Sequence, residues 1–497
     1  MSSTKPTEQK MKQWEIQSAS LSPDPETFEQ WMNGLRGEAE KFLKEIQTKE
    51  AYSGGEKKLS YPRALHHFAK EIQNCSNPNT PKDFKKVISQ VFENIDSAGI
   101  NTAAPGFLGY IPGGGVPLAA VGDFIGALTN RYSSFVYTSP AAALVENELI
   151  YWLRSLFGLP NSAWGTITSG GATANLLALL AARETREVEA WQRGVIYTTR
   201  QSHHTLSRAL KILGLQRTRV RLLESKQGRL PTAELKEVIE QDKKEGLEPW
   251  IILANAGTTN LGAVDPLEEI ADISEKNKLW MHVDAAYGGF FQLIDYGKKA
   301  FKGIERSDSL TVDPHKALFM PYGCGAVMVK QASHLKSAMH EEADYLSDLG
   351  VSDSPSPGDF TFELTRPFRA LRVWLPLKIH GQRAFEAALE EKRALALWTY
   401  EQLHKTGLFE MGPEPDLTVL AFRFKGFDEQ VNENLTLMLQ EKLIQKGDFY
   451  LSNTKLDQNT YLRICVLSFR THLSDMKNCV RQIEDFSNAL IKEKSKK

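Results

Sequence analysis

From Ser139 onward, short apolar runs alternate with longer stretches whose apolar positions recur at helical spacing. The runs at 165–168, 195–199, 250–254, 279–283, Ser309–Val312 and Gly325–Val329 have strand length and read as strands. Helices are expected at Pro140–Leu156, 172–183 and 203–213. Another is expected to open at Asp265-Pro266 and run to Glu275, with Asp265 as N-cap and Pro266 at the first helical position. Strands alternating with helices predict an α/β fold, a mostly parallel sheet with helices on both faces. Ligands of such sheets bind at the carboxyl ends of the strands.

The flanks have a different texture. Phe28, Trp31, Met32, Leu35, Phe42 and Ile46 recur at helical spacing over 25–46. Phe84, Val87, Ile88, Val91 and Phe92 do the same over 81–95, and a Gly54-Gly55 break and Pro62 mark a loop between. Residues 1–21 are polar and read as an arm. Glycine and proline crowd 104–117, which reads as a loop. Residues 345–360 are polar and also read as a loop. Helices at 367–379 and 381–404 follow, then strand 418–424, helix Glu429–Lys446, strand 461–467 and helix 474–491. The expected organisation is an N-terminal helical segment (1–103), a large α/β domain (104–380) and a smaller C-terminal α+β domain (381–497).

Composition narrows the function classes. The 497 residues are 41% hydrophobic and 24% charged with a net charge of −1, as for ordinary soluble proteins. No basic field points to nucleic acid or an anionic membrane. No run of eighteen apolar residues reads as a membrane span, and the first thirty residues lack a signal-peptide core. Cys75, Cys324, Cys465 and Cys479 are widely spaced, so neither a disulfide framework nor a zinc knuckle is expected. A cytoplasmic location follows as the expectation.

Chemistry concentrates at strand ends. Lys316 follows Asp313-Pro314-His315 directly after the strand Ser309–Val312. Burial disfavours a lysine's charge, and a neutral amine can form a Schiff base with an aldehyde. Pyridoxal phosphate (PLP) uses such a lysine together with an acidic partner for its pyridinium nitrogen. Asp284, at the end of an apolar strand, supplies the acid. Ser169-Gly170-Gly171-Ala172 lies between a strand and a helix, where backbone N–H groups and the helix N-terminus favour an anion. His203 and His204 are adjacent, but no third ligand lies at metal-binding spacing, so no metal is expected.

Asp284-Ala285-Ala286-Tyr287, then Asp313-Pro314-His315-Lys316 some thirty residues on, with the Ser-Gly-Gly turn upstream, resembles the group II PLP-dependent amino acid decarboxylases. These include the aromatic-L-amino-acid and glutamate decarboxylases, and the resemblance runs from about Phe28 to Phe486. It implies PLP fold type I and a homodimer with sites at the subunit interface. Lys316 would be the Schiff-base lysine, Asp284 the pyridinium partner, and His203, rather than His204, the ring-stacking histidine. Ala286 would pack on the opposite ring face. Gly171, Ala172, Ser309 and His315 would lie near the phosphate. Thr259 would touch the ring or the substrate carboxylate, or simply be a strand-end turn. Tyr110 and Pro112 keep the family's substrate-pocket pattern, and aromatic substrates are favoured. Ala104 and Ile111 depart from that pattern, and the small Gly113 to Gly115 leave room for other side chains. The reaction implied is loss of carbon dioxide from an L-amino acid and protonation of its α-carbon to give an amine. Family members use a loop tyrosine in that protonation. Counting back from Phe368 places Pro357 there, with Tyr345 nearby. Losing that tyrosine can divert the reaction to oxygen-dependent deamination and an aldehyde. Another lyase or an aminotransferase of the same fold is the alternative within the class, and a catalytically silent scaffold the alternative outside it.

Overall fold

The computed structural model describes residues 8–18, 21, 23–53, 83–92, 99–339 and 354–495. The Gly54-Gly55 break, Pro62, Cys75 and Tyr345, with much of the expected 345–360 loop, lie outside the described residues.

Helices in the first part of the chain start where local chemistry allows. Asp24 accepts a hydrogen bond from the Thr27 amide at 2.7 Å, and Pro25 fills the first position of Pro25–Glu45. Asp83 caps Phe84–Gln90 in the same way. The polar arm contains a helix at Glu8–Ser18. Strands β1 (Tyr52–Ser53) and β2 (Gly99–Ile100) form a two-stranded pair.

The large sheet holds β3 (Trp164–Thr168), β4 (Gly194–Thr199), β5 (Arg219–Leu223), β6 (Glu248–Asn255), β7 (Trp280–Ala285), β8 (Ser309–Val312) and β9 (Gly325–Val329). Their spatial order is β3-β9-β8-β7-β6-β4-β5. Pairs among β8, β7, β6, β4 and β5 are parallel, and β9 runs antiparallel to both neighbours. This is the mostly parallel sheet of PLP fold type I. Strands β3, β4, β7, β8 and β9 are buried along their whole length, which explains their continuous apolar runs. Strand β5 was not expected. It is an edge strand with exposed Arg219 and Val220, so its pattern carries no buried run.

Asp265 does not cap the following helix, Leu267–Asn277. Its buried carboxylate instead accepts from the Leu230 amide (2.7 Å), the Asn255 amide (2.7 Å) and Asn255 Nδ2 (3.1 Å). Those bonds tie the end of β6 to a neighbouring loop, and burial pushes the carboxyl up to about 6.

A second, antiparallel sheet is ordered β10-β11-β13-β12, from Phe409–Met411, Val419–Phe424, Asn459–Cys465 and Ser452–Leu456. The helices Gln382–Lys405, Glu429–Lys446 and Leu473–Lys494 cover it over a core that includes Phe409, Phe422, Leu439 and Ile483.

A buried ion pair fixes the first strand of the large sheet. Arg366 pairs with Glu146 and donates to Thr166 Oγ1 (2.8 Å) and the Ile167 carbonyl (3.1 Å). Glu146 accepts from Thr166 Oγ1 (2.9 Å) and the Ile167 amide (3.0 Å). The helix Pro140–Leu156 and Arg366 therefore clamp β3, which leads into the Gly-Gly turn.

Candidate active site

Strands β3, β4, β6, β7 and β8 all end at one cavity of about 320 Å³. That volume lies in the range of small-molecule and cofactor sites. The turn after β3 brings in Gly170, Gly171 and Ala172. Gly170 has φ +149°, and a Cβ on Gly325 would sit 2.6 Å from Gly170 Cα, so the turn needs glycine on both strands. Gly171 begins the helix Gly171–Arg183, whose free N-terminal N–H groups would suit an anion.

His203 follows β4 and caps the helix His204–Ile212, its Nδ1 lying 2.8 Å from Thr205 Oγ1. It lines the cavity, while His204, its ring 4.2 Å away, is exposed. Burial pulls the His203 pKa down against the attraction of Asp284. Asp284 is 6% exposed, and its carboxylate accepts from Asn175 Nδ2 (3.0 Å) and the Ala286 amide (3.1 Å). Ala286, Thr259 and His315 also line the cavity. The His315 ring is held by the Cys324 carbonyl.

Lys316 reaches the cavity with its Nζ 2.9 Å from Asp313 Oδ2. Here the structure corrects the expectation of a cheaply neutral lysine. Burial opposes the charge, but Asp313 and then Asp284 outweigh it, and the pKa is raised. Two carboxylates near one amine win over desolvation.

Ser309 is a second correction. It starts β8 opposite His282, whereas the cavity lies at the other end of the strand. Its buried hydroxyl accepts from Trp280 Nε1 at 2.8 Å and lies 2.9 Å from His282 Nδ1. Tyr110 and Pro112 do not line the cavity within this chain. Tyr110 is exposed beside Tyr450, and Pro112 is buried. Gly113 and Gly114 do not leave room for a substrate. A Cβ on Gly113 would lie 2.3 Å from the His315 carbonyl oxygen, and one on Gly114 2.8 Å from Ser468 Oγ. Their size reflects close backbone packing. Pro357 is buried in the turn Pro357–Phe360.

Sequence reasoning missed Asn175, His282 and Arg463. Asn175 lies one helical turn after Gly171, a spacing that puts both on the face above the sheet. Arg463 donates to the carbonyls of Tyr110 (2.6 Å), Thr259 (2.6 Å) and Asn260 (3.0 Å), and is buried with no carboxylate partner among the described residues. No local pattern marks it. A larger cleft, about 420 Å³, is lined by Arg229, Tyr296, Arg393 and Asp416. Its charges pair with each other, Arg229 with Asp416 at 2.6 Å, so volume alone does not identify the reactive site.

The residues at the smaller cavity fit PLP. A buried carboxylate, a glycine turn at a helix N-terminus and a lysine share one space. The model described as the pyridoxal-dependent decarboxylase conserved domain matches residues 67–425. The chain belongs to that family. It is an enzyme of the PLP-dependent decarboxylase superfamily, whose members act on amino acids. The aromatic-L-amino-acid decarboxylase of Bacillus atrophaeus is 32% identical over 416 residues, 82% of this chain and 86% of that protein. Human cysteine sulfinic acid decarboxylase is 28% identical, over 78% of this chain and 82% of its own. Oryza sativa TDC, solved with PLP and tryptamine, superposes with a TM-score of 0.87 at 22% identity, covering 94% of this chain and 99% of its own. At that identity the superposition shows the shared fold.

Proposed function

We propose that this decarboxylase-family chain removes carbon dioxide from an L-amino acid, aromatic ones first, and releases the amine. The observation that carries the reading is the meeting of Lys316, Asp284 and His203 at one cavity. PLP, when bound, supplies an electron sink for the electrons left at the α-carbon. The chain's own residues prepare for it. Lys316 would hold the cofactor aldehyde, and Asp313, 2.9 Å away, is the nearest acceptor for the proton its amine must give up. Asp284 would keep a proton on the ring nitrogen. His203 and Ala286 would lie on opposite ring faces, and the Gly170–Gly171 turn would hold the phosphate. Thr259 would meet the ring or the substrate carboxylate, and His315 the phosphate.

Pro357, in its buried turn, favours a second reading, in which oxygen-dependent deamination gives an aldehyde. We also expect a homodimer in the cytoplasm. Val121, Phe124, Ile125 and Leu128 form an exposed apolar stripe on Pro117–Thr129 that a second copy would cover. Among the described residues, no helix is long and apolar enough to cross a membrane.

The test is turnover of PLP-loaded protein on all L-amino acids, with and without air, following carbon dioxide, ammonia and peroxide. Carbon dioxide and amine without ammonia supports the decarboxylase reading and names the substrate. Ammonia and peroxide, formed only in air, support the aldehyde reading. No carbon dioxide with a Lys316-dependent visible band leaves another lyase or an aminotransferase. No band at all leaves the silent scaffold.

A further inference from the structure

One amide joins the two groups that would face the cofactor. Asn175 Nδ2 donates to Asp284 Oδ2 at 3.0 Å and, with its other proton, to Thr205 Oγ1 at 3.4 Å. Thr205 Oγ1 lies 2.8 Å from His203 Nδ1, and the Thr205 backbone N–H points to the same nitrogen at 3.4 Å. A backbone N–H can only donate; at 3.4 Å it is too long to hold the ring alone, but it biases His203 Nδ1 toward accepting, and the 2.8 Å contact with the Thr205 hydroxyl holds that nitrogen unprotonated. The Thr205 hydroxyl then donates to it and keeps its lone pairs for Asn175. A neutral His203 must carry its proton on Nε2.

The orientation of the Asn175 amide is fixed from behind. Asp284 can only accept while ionised, so Nδ2 faces it and Oδ1 faces His282 Nε2, 3.0 Å away. His282 Nε2 therefore donates, and its Nδ1 accepts from Ser309, whose oxygen accepts from the donor-only Trp280 indole at 2.8 Å. Every bond in the chain Trp280–Ser309–His282–Asn175 runs toward Asp284. Such a chain polarises in one direction and strengthens its last member.

We propose that Asn175 is the positioning residue of this site, orienting the Asp284 carboxylate and fixing His203 in its Nε2–H tautomer through Thr205. The role of Asp284 and His203 toward PLP rests on the function proposed above, but the tautomer of His203 does not. Asn175 lines the cavity, and its side chain bonds Asp284, Thr205 and His282. It couples the ring-nitrogen side of the site to the stacking histidine.

The experiment uses full-length protein with ¹⁵N-labelled histidine. Ring-nitrogen shifts of His203 are read without cofactor near pH 8, and PLP affinity is read separately from the visible band. The wild type should show an acceptor Nδ1 and a protonated Nε2. N175A should mix the two tautomers and weaken PLP binding about tenfold to a hundredfold, as for lost hydrogen bonds to a charged group. T205V should mix the tautomers with PLP affinity within about threefold, because Asp284 keeps its amide donor. T205S, which keeps the hydroxyl, should restore the wild-type pattern. A wild-type tautomer in T205V, or in a folded N175A, overturns the proposal, as does PLP affinity in N175A within twofold of wild type. If N175A does not fold, T205V and T205S still decide the His203 link. A wild-type chain that takes up no PLP sinks the proposed function instead, and the tautomer data stand apart from it.

Discussion

Lys316 with Asp313 and Arg366 with Glu146 are both cation–carboxylate pairs inside the large sheet domain, and both carboxylates are 2% exposed at the side chain. They differ at the cation. Arg366 is fully buried and bound to Glu146, Thr166 and Ile167. Lys316 keeps 22% of its side chain exposed, pairs with Asp313 and borders a cavity. Burial and pairing alone therefore do not mark a reactive site. The reactive pair is the one with a space beside it.

The sharpest break of this comparison is Lys316→Ala. Activity should fall on the order of 10⁴-fold, while the thermal midpoint moves less than in an Arg366 variant, because the cavity beside Asp313 gives water access to the carboxylate left without its partner. Carbon dioxide release and thermal unfolding read the two effects. Arg366→Met should do the reverse. It leaves Glu146 buried without its partner and costs about 3–5 kcal/mol. Activity per folded molecule should persist, and adding Glu146→Leu should recover most of the midpoint. Equal losses in the single and double variants would show that the pair is not what holds β3.

Acid should separate the regions further. Burial lowers the His282 pKa from 6.5 to about 4. The folded value lies below the unfolded one, so this contribution is intact above pH 6.5 and is lost as pH falls toward 4. The shift corresponds to at most about 3 kcal/mol. Asp265 acts with the opposite sign, since its folded value is raised to about 6, but it is common to both proteins in the test. The midpoint of the wild type should fall more steeply between pH 6.5 and 4.5 than that of His282→Gln; parallel curves would remove His282 as the cause. The smallest effect is Gly113→Ala against Gly115→Ala. The first drives a Cβ against the His315 carbonyl and should cost about 1–3 kcal/mol with loss of activity. The second meets open space at φ +67° and should cost roughly 1 kcal/mol with activity kept.

What could be read from the chain alone was whatever lies close in sequence and is buried on both sides. Strands β7 and β8, the Gly-Gly turn and the lysine motif each show within ten residues. Strand β5 hid because an edge strand needs no apolar run. Ser309 was placed near the phosphate by the family resemblance, yet four residues of extended chain carry it to the far end of β8. Gly113 was read as space because a missing side chain looks the same from sequence whether it admits a ligand or a backbone. Arg463 and Asn175 act through partners a hundred or more residues away, and no local spacing encodes that.

Arg463 and Arg470 belong to the part of the chain that carries the small sheet. Arg463 grips the carbonyls of Tyr110 and Thr259, and Arg470 those of Gly114 and Gly115. This gives the molecule a schedule. On a ribosome adding about 5–20 residues per second, the 154 residues from Lys316 to Arg470 take roughly 8–30 s. For that interval the nascent chain carries its lysine without the clasp that fixes the loops around it. A cell that stalls synthesis there holds a protein with the right motif and no finished pocket.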